Sequence, residues 1–469
     1  MRNSVLFIVF LLSIGGCAAA QYHEEADKVV EVPDSFVNSG GSVKRVGFCS
    51  DFGEPELDTL MAGILEENLD LMSSYARLDQ AKAISKLNDA SLYPNVSADI
   101  SGGRSRNPAP APLGALESNN FRGSITASYE LDLWGRLHHN RQAARKGIQA
   151  SQADFETLNI SIATQTLLSY FDVAAQREKR KLFNEQIALS ENFLELTTMR
   201  FSQGRASALD LTQQRQQIES LRGRVALIDA AEKTSLSQLA LLSGKSLQRF
   251  GGLNVEKLPE IPALPAIGLP ADLVESRPDL RAALLRMEQA DHSTKAAAAE
   301  MLPSIRLSAN VFLQAANIED LIEEVFWSIT GALSQKLFTG GRVSAQVQQA
   351  EAAARSQVYA FGQTYLRALK EIEDALILEA SQKKFISSID KQIKDAKLGL
   401  DIARNRYQSG VGDYLRVLNA LGSVQQLEQA RIDAKKQELT FRVSLCRSLG
   451  GDWVRGKTIN EKLKSKEEE

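Results

Sequence analysis

The sequence predicts an α+β chain written as a tandem repeat, each half holding a helix, a β-hairpin, a very long helix and a further helix. Three observations carry this reading. First, Phe201 corresponds to Tyr407, Gly204 to Gly410, Gly244 to Gly450 and Arg136 to Arg342, each pair 206 positions apart, while upstream Pro94 and Pro303 are 209 apart. One offset held nearly constant over so much chain marks an internal repeat. Second, residues 135–202 and 341–409 keep helical apolar spacing with no proline. Third, four short stretches alternate apolar and polar residues with the period of a strand.

The N-terminus comes first in chain order. Arg2 precedes an apolar run from Val5 to Ile14, too short to span a bilayer as a stable helix, so residues 1–16 read as a signal peptide. Ile14-Gly15-Gly16-Cys17 resembles a bacterial lipoprotein signal. Cys17 then becomes the lipid-bearing first residue, with palmitate attached, of a segment 17–54; an ordinary signal with a chance cysteine is the alternative. Ala18 follows where an inner-membrane retention signal has Asp, which fits an outer-membrane destination. Cys49 and Cys446 are either a disulfide of an oxidising compartment or two buried thiols.

The first repeat covers 55–250. It opens with a helix over 55–90 and has strands at about 94–103 and 122–134. Ile125, Ala127, Tyr129, Leu131 and Leu133 alternate there with Ser124, Thr126, Ser128, Glu130 and Asp132. Residues 104–120, rich in Pro and Ala, read as a loop. The long helix from 135 follows, about 100 Å at 1.5 Å per residue, a length that must pack along other long helices. Gly204 ends it in a turn at its far tip. Residues 251–270, with four prolines, form an extended linker. The second repeat, 271–451, repeats the order: a helix to about 300, strands at about 303–312 and 325–338 joined by a loop at 313–324, the long helix, a tip turn at Gly410 and a last helix. Residues 452–469 are a charged tail.

The four strands have the length that spans a bilayer when tilted. Lipid tolerates no open sheet edge, and four strands cannot close alone. Either they form a soluble sandwich or several chains share one barrel, three copies supplying twelve strands. The signal peptide, the lipidation site and the absence of a second long apolar segment favour the shared barrel. Tyr129, Trp134, Phe312, Phe326 and Trp327 lie near strand ends, as interfacial aromatics do.

Composition excludes other classes. With 55 basic and 58 acidic residues, the chain lacks the basic excess of a nucleic-acid binder. His23, His138, His139 and His292 are too far apart, or too close, for an obvious metal or catalytic constellation. No enzyme, metal site or cofactor is expected, apart from the covalent lipid.

The doubled plan, with YELDLWGR (129–136) in one half and LSQKLFTGGR (333–342) in the other, resembles the outer-membrane efflux proteins of the TolC family. GLPADLVESRPDLRAAL from Gly268 is similar to the lipoprotein branch that includes OprM and NodT-like proteins. The resemblance implies a homotrimer with a twelve-stranded β-barrel in the outer membrane, continued by a twelve-helix α-barrel across the periplasm. A girdle would be built from 22–54, 246–270 and 452–469. It implies a passive exit for drugs or other small solutes, delivered by an inner-membrane pump, of RND type, through a periplasmic adaptor. An exit duct for type I protein secretion is the alternative, and a coiled-coil scaffold outside any membrane a third reading. The periplasmic aperture would sit just after the tip turns, where the candidates are Asp210, Gln213, Asp413, Arg416 and Asn419, with Tyr407 before the second turn. The resemblance places Tyr407 and Asp210 in the network that closes such entrances. Gly412 stands where that network has an arginine, and Arg416 and Asn419 stand where the family has inward acidic rings.

Overall fold

The computed structural model describes Pro33 and residues 52–108, 115–262, 270 and 273–451. The signal peptide, Cys17, Cys49, most of the linker's second half and the tail lie outside them. In order, the elements are α1 (Pro55–Glu67), α2 (Leu69–Ala90), β1 (Asn95–Pro108), β2 (Ala115–Leu131), α3 (Arg136–Ser202), α4 (Ala208–Leu242), α5 (Leu247–Phe250), α6 (Leu273–Ser276), α7 (Pro278–Ala299), β3 (Ser304–Ala315), β4 (Val325–Ser334), α8 (Arg342–Gln408) and α9 (Tyr414–Ser448). A short 3-10 turn at Ile318–Asp320 interrupts the β3–β4 connection. The chain clusters into two compact units: one contains residues 76–153 and 281–364, the other 154–280, 365–451 and the stretch up to Tyr75.

The first unit holds the sheet. Its order is β1-β2-β3-β4, antiparallel throughout. The central pairing joins β2 of one repeat to β3 of the other, with Ile125 opposite Val311 and Tyr129 opposite Leu307. β1 and β4 are left as edges. The register gives the sheet two chemistries. Val96, Ile100, Ile125, Val311, Trp327, Ile329 and Leu333 share one face; Ser97, Thr126, Ser128, Ser308, Asn310, Ser328 and Thr330 share the other. No described part of the chain covers the apolar face: Ile100 is 91% exposed and Ile329 76%.

Several boundaries differ from the sequence expectation. Residues 104–120 are not mainly loop, since β1 runs to Pro108 and β2 starts at Ala115. This outer part of the hairpin carries polar residues on both faces, so it has no alternation to read. Ladder bonds hold it, with an Arg104–Glu117 ion pair at 2.6 Å and Ser105 bonded to Ser118 at 2.9 Å. β2 ends at Leu131 rather than 134 because Asp132 is taken by the next helix. Its carboxylate accepts from the backbone N–H of Leu137 at 3.0 Å and of His138 at 2.7 Å, satisfying two orphan donors of the first turn. Gly135, at φ +74°, supplies the left-handed residue between strand and helix. β4 stops at Ser334 instead of 338, and Leu337 and Phe338 lie beyond it, over 90% exposed.

The second unit holds the main core and shows why the expected single opening helices are each broken. Asn68 ends α1 with an extended backbone, accepts from the Leu71 N–H at 3.0 Å and donates to the Leu242 carbonyl at 2.8 Å. In the other half Arg277 interrupts α6 and α7 and donates to the Ser448 carbonyl at 2.9 Å. Leu242 and Ser448 are 206 positions apart, so the break is a repeated joint. Each joint needs a glycine. Gly244 and Gly450 have φ +67° and +99°, and a Cβ would fall 2.8 Å from the Glu67 carbonyl oxygen and 2.3 Å from that of Ser276. Gly450→Ala therefore lowers thermal stability by more than about 1 kcal/mol, read as a fall in Tm of the purified protein; an unchanged Tm would refute the close approach.

Around these joints Tyr170, Phe171, Ile64, Leu239 and Val443 are almost fully buried. The linker's first half is drawn onto this core. Leu253, Val255 and Leu258 are buried, and Arg177 donates to the carbonyls of Leu253 at 2.6 Å and Val255 at 2.8 Å while paired with Glu232. Arg442, paired with Glu379, reaches the Pro262 carbonyl.

Candidate functional site: sheet faces, strand–helix junction and helix tips

The sheet puts its aromatic residues in three settings. Tyr129 and Trp327 lie on the apolar face, Trp327 72% exposed. Trp134 is outside the strands, and its indole N–H donates to the Pro303 carbonyl at 2.7 Å, tying the β2 exit to the β3 entry. Phe312 and Phe326 are opposite partners on the polar face, stacked at 5.0 Å with the Arg122 guanidinium 4.6 Å above Phe312. Their register sets them apart from Tyr129 and Trp327: they are one residue out of phase with Val311, Val325 and Trp327. The parity was present in the sequence; the stack was not.

At the junction, Arg136, the repeat-matched arginine, pairs with Glu130 at 2.7 Å, and Arg306 approaches the same carboxylate at 3.9 Å. The fold also unites two histidines that looked too distant in sequence. His139 Nδ1 and His292 Nδ1 are 3.3 Å apart. Burial lowers the pKa of both, with each other's charge adding for His139 and Lys295 for His292. Among the described residues no group of three metal-ligating side chains forms.

The helix tips are built by caps. After α3, Gly204 takes φ +72° and Arg205 N–H bonds back to the Arg200 carbonyl at 2.8 Å; after α8, Gly410 takes φ +78° and Val411 N–H bonds to the Arg406 carbonyl at 3.1 Å. Ser207 then caps α4, its hydroxyl accepting from Asp210 N–H at 3.2 Å, while Asp210 accepts from Ser207 N–H at 2.9 Å. That is a capping box. Asp413 caps α9 through the Leu415 N–H at 3.2 Å.

The expected Asp210–Tyr407 network takes a different form within one chain. Asp210 is committed to its own helix end, and Tyr407 is a core residue, 3% exposed, packed with Phe193, Tyr414, Val417 and Leu421. Arg200 holds it from α3: its guanidinium lies 4.3 Å above the ring and donates to the Tyr407 carbonyl at 2.7 Å. Tyr414 donates to Gln214 Oε1, and Gln214 Nε2 donates to the Ser190 carbonyl at 2.6 Å. Burial raises the pKa of both tyrosines, so both stay neutral. Of the remaining candidates Gln213 is half-buried, and Arg416 and Asn419 are exposed on one side of α9. Sequence reading missed Arg200, Gln214 and Tyr414. Tyr414, Val417, Leu421 and Val424 do keep helical spacing, which could have marked Tyr414 as core, but nothing local marks Gln214.

Known proteins match this architecture. The model of the outer membrane efflux protein family matches residues 60–245 and 269–451. The pyoverdine export outer membrane protein OpmQ of Pseudomonas aeruginosa is 27% identical over 413 residues, 86% of each chain. The outer membrane protein OprJ of the same organism is 27% identical over 469 residues, 96% of each. A solved structure of CusC, described for its transmembrane channel formation, superposes with a TM-score of 0.82 at 26% identity, covering 90% of this chain and 97% of that one.

Proposed function

The chain belongs to the outer membrane efflux protein family, and from that premise we propose that three copies join their sheets into one twelve-stranded barrel, continued by twelve long helices, through which small solutes leave the cell. The observation that carries this is the sheet itself: two open edges, one bare apolar face and one polar face. Unpaired strand edges cost several kcal/mol per backbone group in lipid, so β1 and β4 need strands from neighbouring copies. The apolar face then meets lipid and the polar face lines water. Tyr129 and Trp327 supply interfacial anchors, while Phe312, Phe326 and Arg122 turn inward. Nothing at the site performs chemistry; the protein is a passive duct, fed by an inner-membrane pump of the RND type through a periplasmic adaptor. Relatives named for pyoverdine export and cation efflux favour solute efflux over protein secretion. Native mass spectrometry from detergent tests the assembly, with a trimer expected, and planar-bilayer recording tests the pore. A monomer without conductance would sink the reading.

The lipid anchor is a separate part of this proposal. Cys17, outside the described residues, would carry the acyl chains that hold the N-terminus to the membrane. Cys17→Ser is expected to abolish radiolabelled palmitate incorporation while export of the chain continues; retained label would refute the assignment.

A further inference from the structure

The internal repeat carries information about how one copy meets the next. α3 and α8 each have 67 residues, and α4 and α9 each have 35. Both pairs start 206 positions apart, so these four helices match pairwise along their whole length. Within the chain the repeats meet along a seam between α3 and α9. Two ion pairs cross it, Lys179 with Asp433 at 2.5 Å and Lys436 with Asp172. An interface made once between two equivalent repeats leaves its counterpart unmade. The matching face of α8 lacks its partner, and so does the matching face of α4. Such a head-to-tail contact is satisfied by the next copy, and it closes into a ring when the rotation allows.

Shifting the in-chain seam by the repeat offset names the missing contacts. Lys179 maps to Phe385, Asp172 to Leu378, Asp433 to Leu227 and Lys436 to Ala230. All four are apolar and exposed in the single chain: Leu227 is 71% exposed, Phe385 53% and Leu378 44%, with Ala230 exposed beside them. Both mapped pairs are therefore chemically matched. Where the in-chain seam places opposite charges, the second seam places apolar side chains on both sides.

We propose that α8 of one copy packs against α4 of the next in this register, with Phe385 on Leu227 and Leu378 on Ala230. At these two positions the ring then places ion pairs inside each chain and apolar contacts between chains. The inference rests on the trimeric reading above and adds its register and chemistry.

Cysteine cross-linking separates the two. In membranes treated with a short bismaleimide, Leu227→Cys with Phe385→Cys is expected to give linked dimers and trimers. Each single variant controls for the chain's own cysteines. Lys179→Cys with Asp433→Cys should link within one chain and leave its mass that of a monomer. Gly223→Cys with Phe385→Cys, one helical turn out of register, should link several-fold less. A trimer by native mass in which the Leu227/Phe385 pair links no better than the Gly223/Phe385 pair overturns the register alone. A monomer by native mass overturns the trimeric reading and the seam with it.

Discussion

Glu379→Ala lowers stability by about 3–5 kcal/mol, the cost of leaving a buried charge without its partner. The Arg442 and Glu379 side chains are 1% and 2% exposed and joined at 2.5 Å, with a second bond at 3.0 Å. Arg442 also donates to the Pro262 carbonyl, and Lys383 pairs with Glu379 at 3.0 Å. Removing the carboxylate takes two charge-assisted hydrogen bonds from the guanidinium in the core of the second unit and loosens the linker it holds. Thermal or denaturant unfolding in detergent reads the change, and a loss below about 1 kcal/mol would mean that the pair is not sealed from water. Exchanging both residues for apolar ones of similar volume is expected to recover much of the loss.

The same pair gives the chain a pH dependence of definite sign. Burial alone would raise the Glu379 pKa, but hydrogen bonds from Arg442 and Lys383 outweigh it and hold the group below the ordinary carboxylate value. A group depressed on folding contributes stability that is complete above its unfolded pKa and is lost as pH falls through the folded one. Acid should therefore destabilise the wild type more than the Glu379→Ala variant, with the curves converging at low pH.

The second large effect is at the tip. Tyr407→Ala removes a buried ring, with its Tyr414 contact at 5.4 Å and the Arg200 stack at 4.3 Å, a loss of about 3–5 kcal/mol by the measure of large-to-small core substitutions. The α8 end then loses its packing against α3 and α9. If the tips form the resting aperture, conductance of the purified protein in planar bilayers rises. Tyr407→Phe, which keeps the ring, should stay near wild type. Asp210→Ala removes half of a capping box, about 1 kcal/mol, and should raise conductance less. Unchanged conductance in both alanine variants would remove the tips from the gating assignment.

These predictions divide along what each residue reveals locally. The long helices lay open in the sequence because their signal is periodic, and their ends matched to within a residue because Gly204 and Gly410 must take a left-handed turn. The strand faces were open for the same reason, including the parity of Phe312 and Phe326, which grouping by position along the strand overlooked. Asp210 was visible as a polar residue at the tip, but its use as a cap rather than as Tyr407's partner depends on where Ser207 stands after the turn.

What the sequence determined by itself was the repeat, the element types, the turn glycines and the two-faced strands. Each depends on residues a few positions apart and on backbone preferences that act locally. Only the tertiary structure decided that Arg177 and Arg442 clasp the linker, that Arg200 pins Tyr407, that His139 meets His292 and that β2 pairs with β3. Those contacts join residues 76 to 207 positions apart. Over such separations chain entropy favours no particular partner, and the choice falls to packing and to the pairing of buried charge.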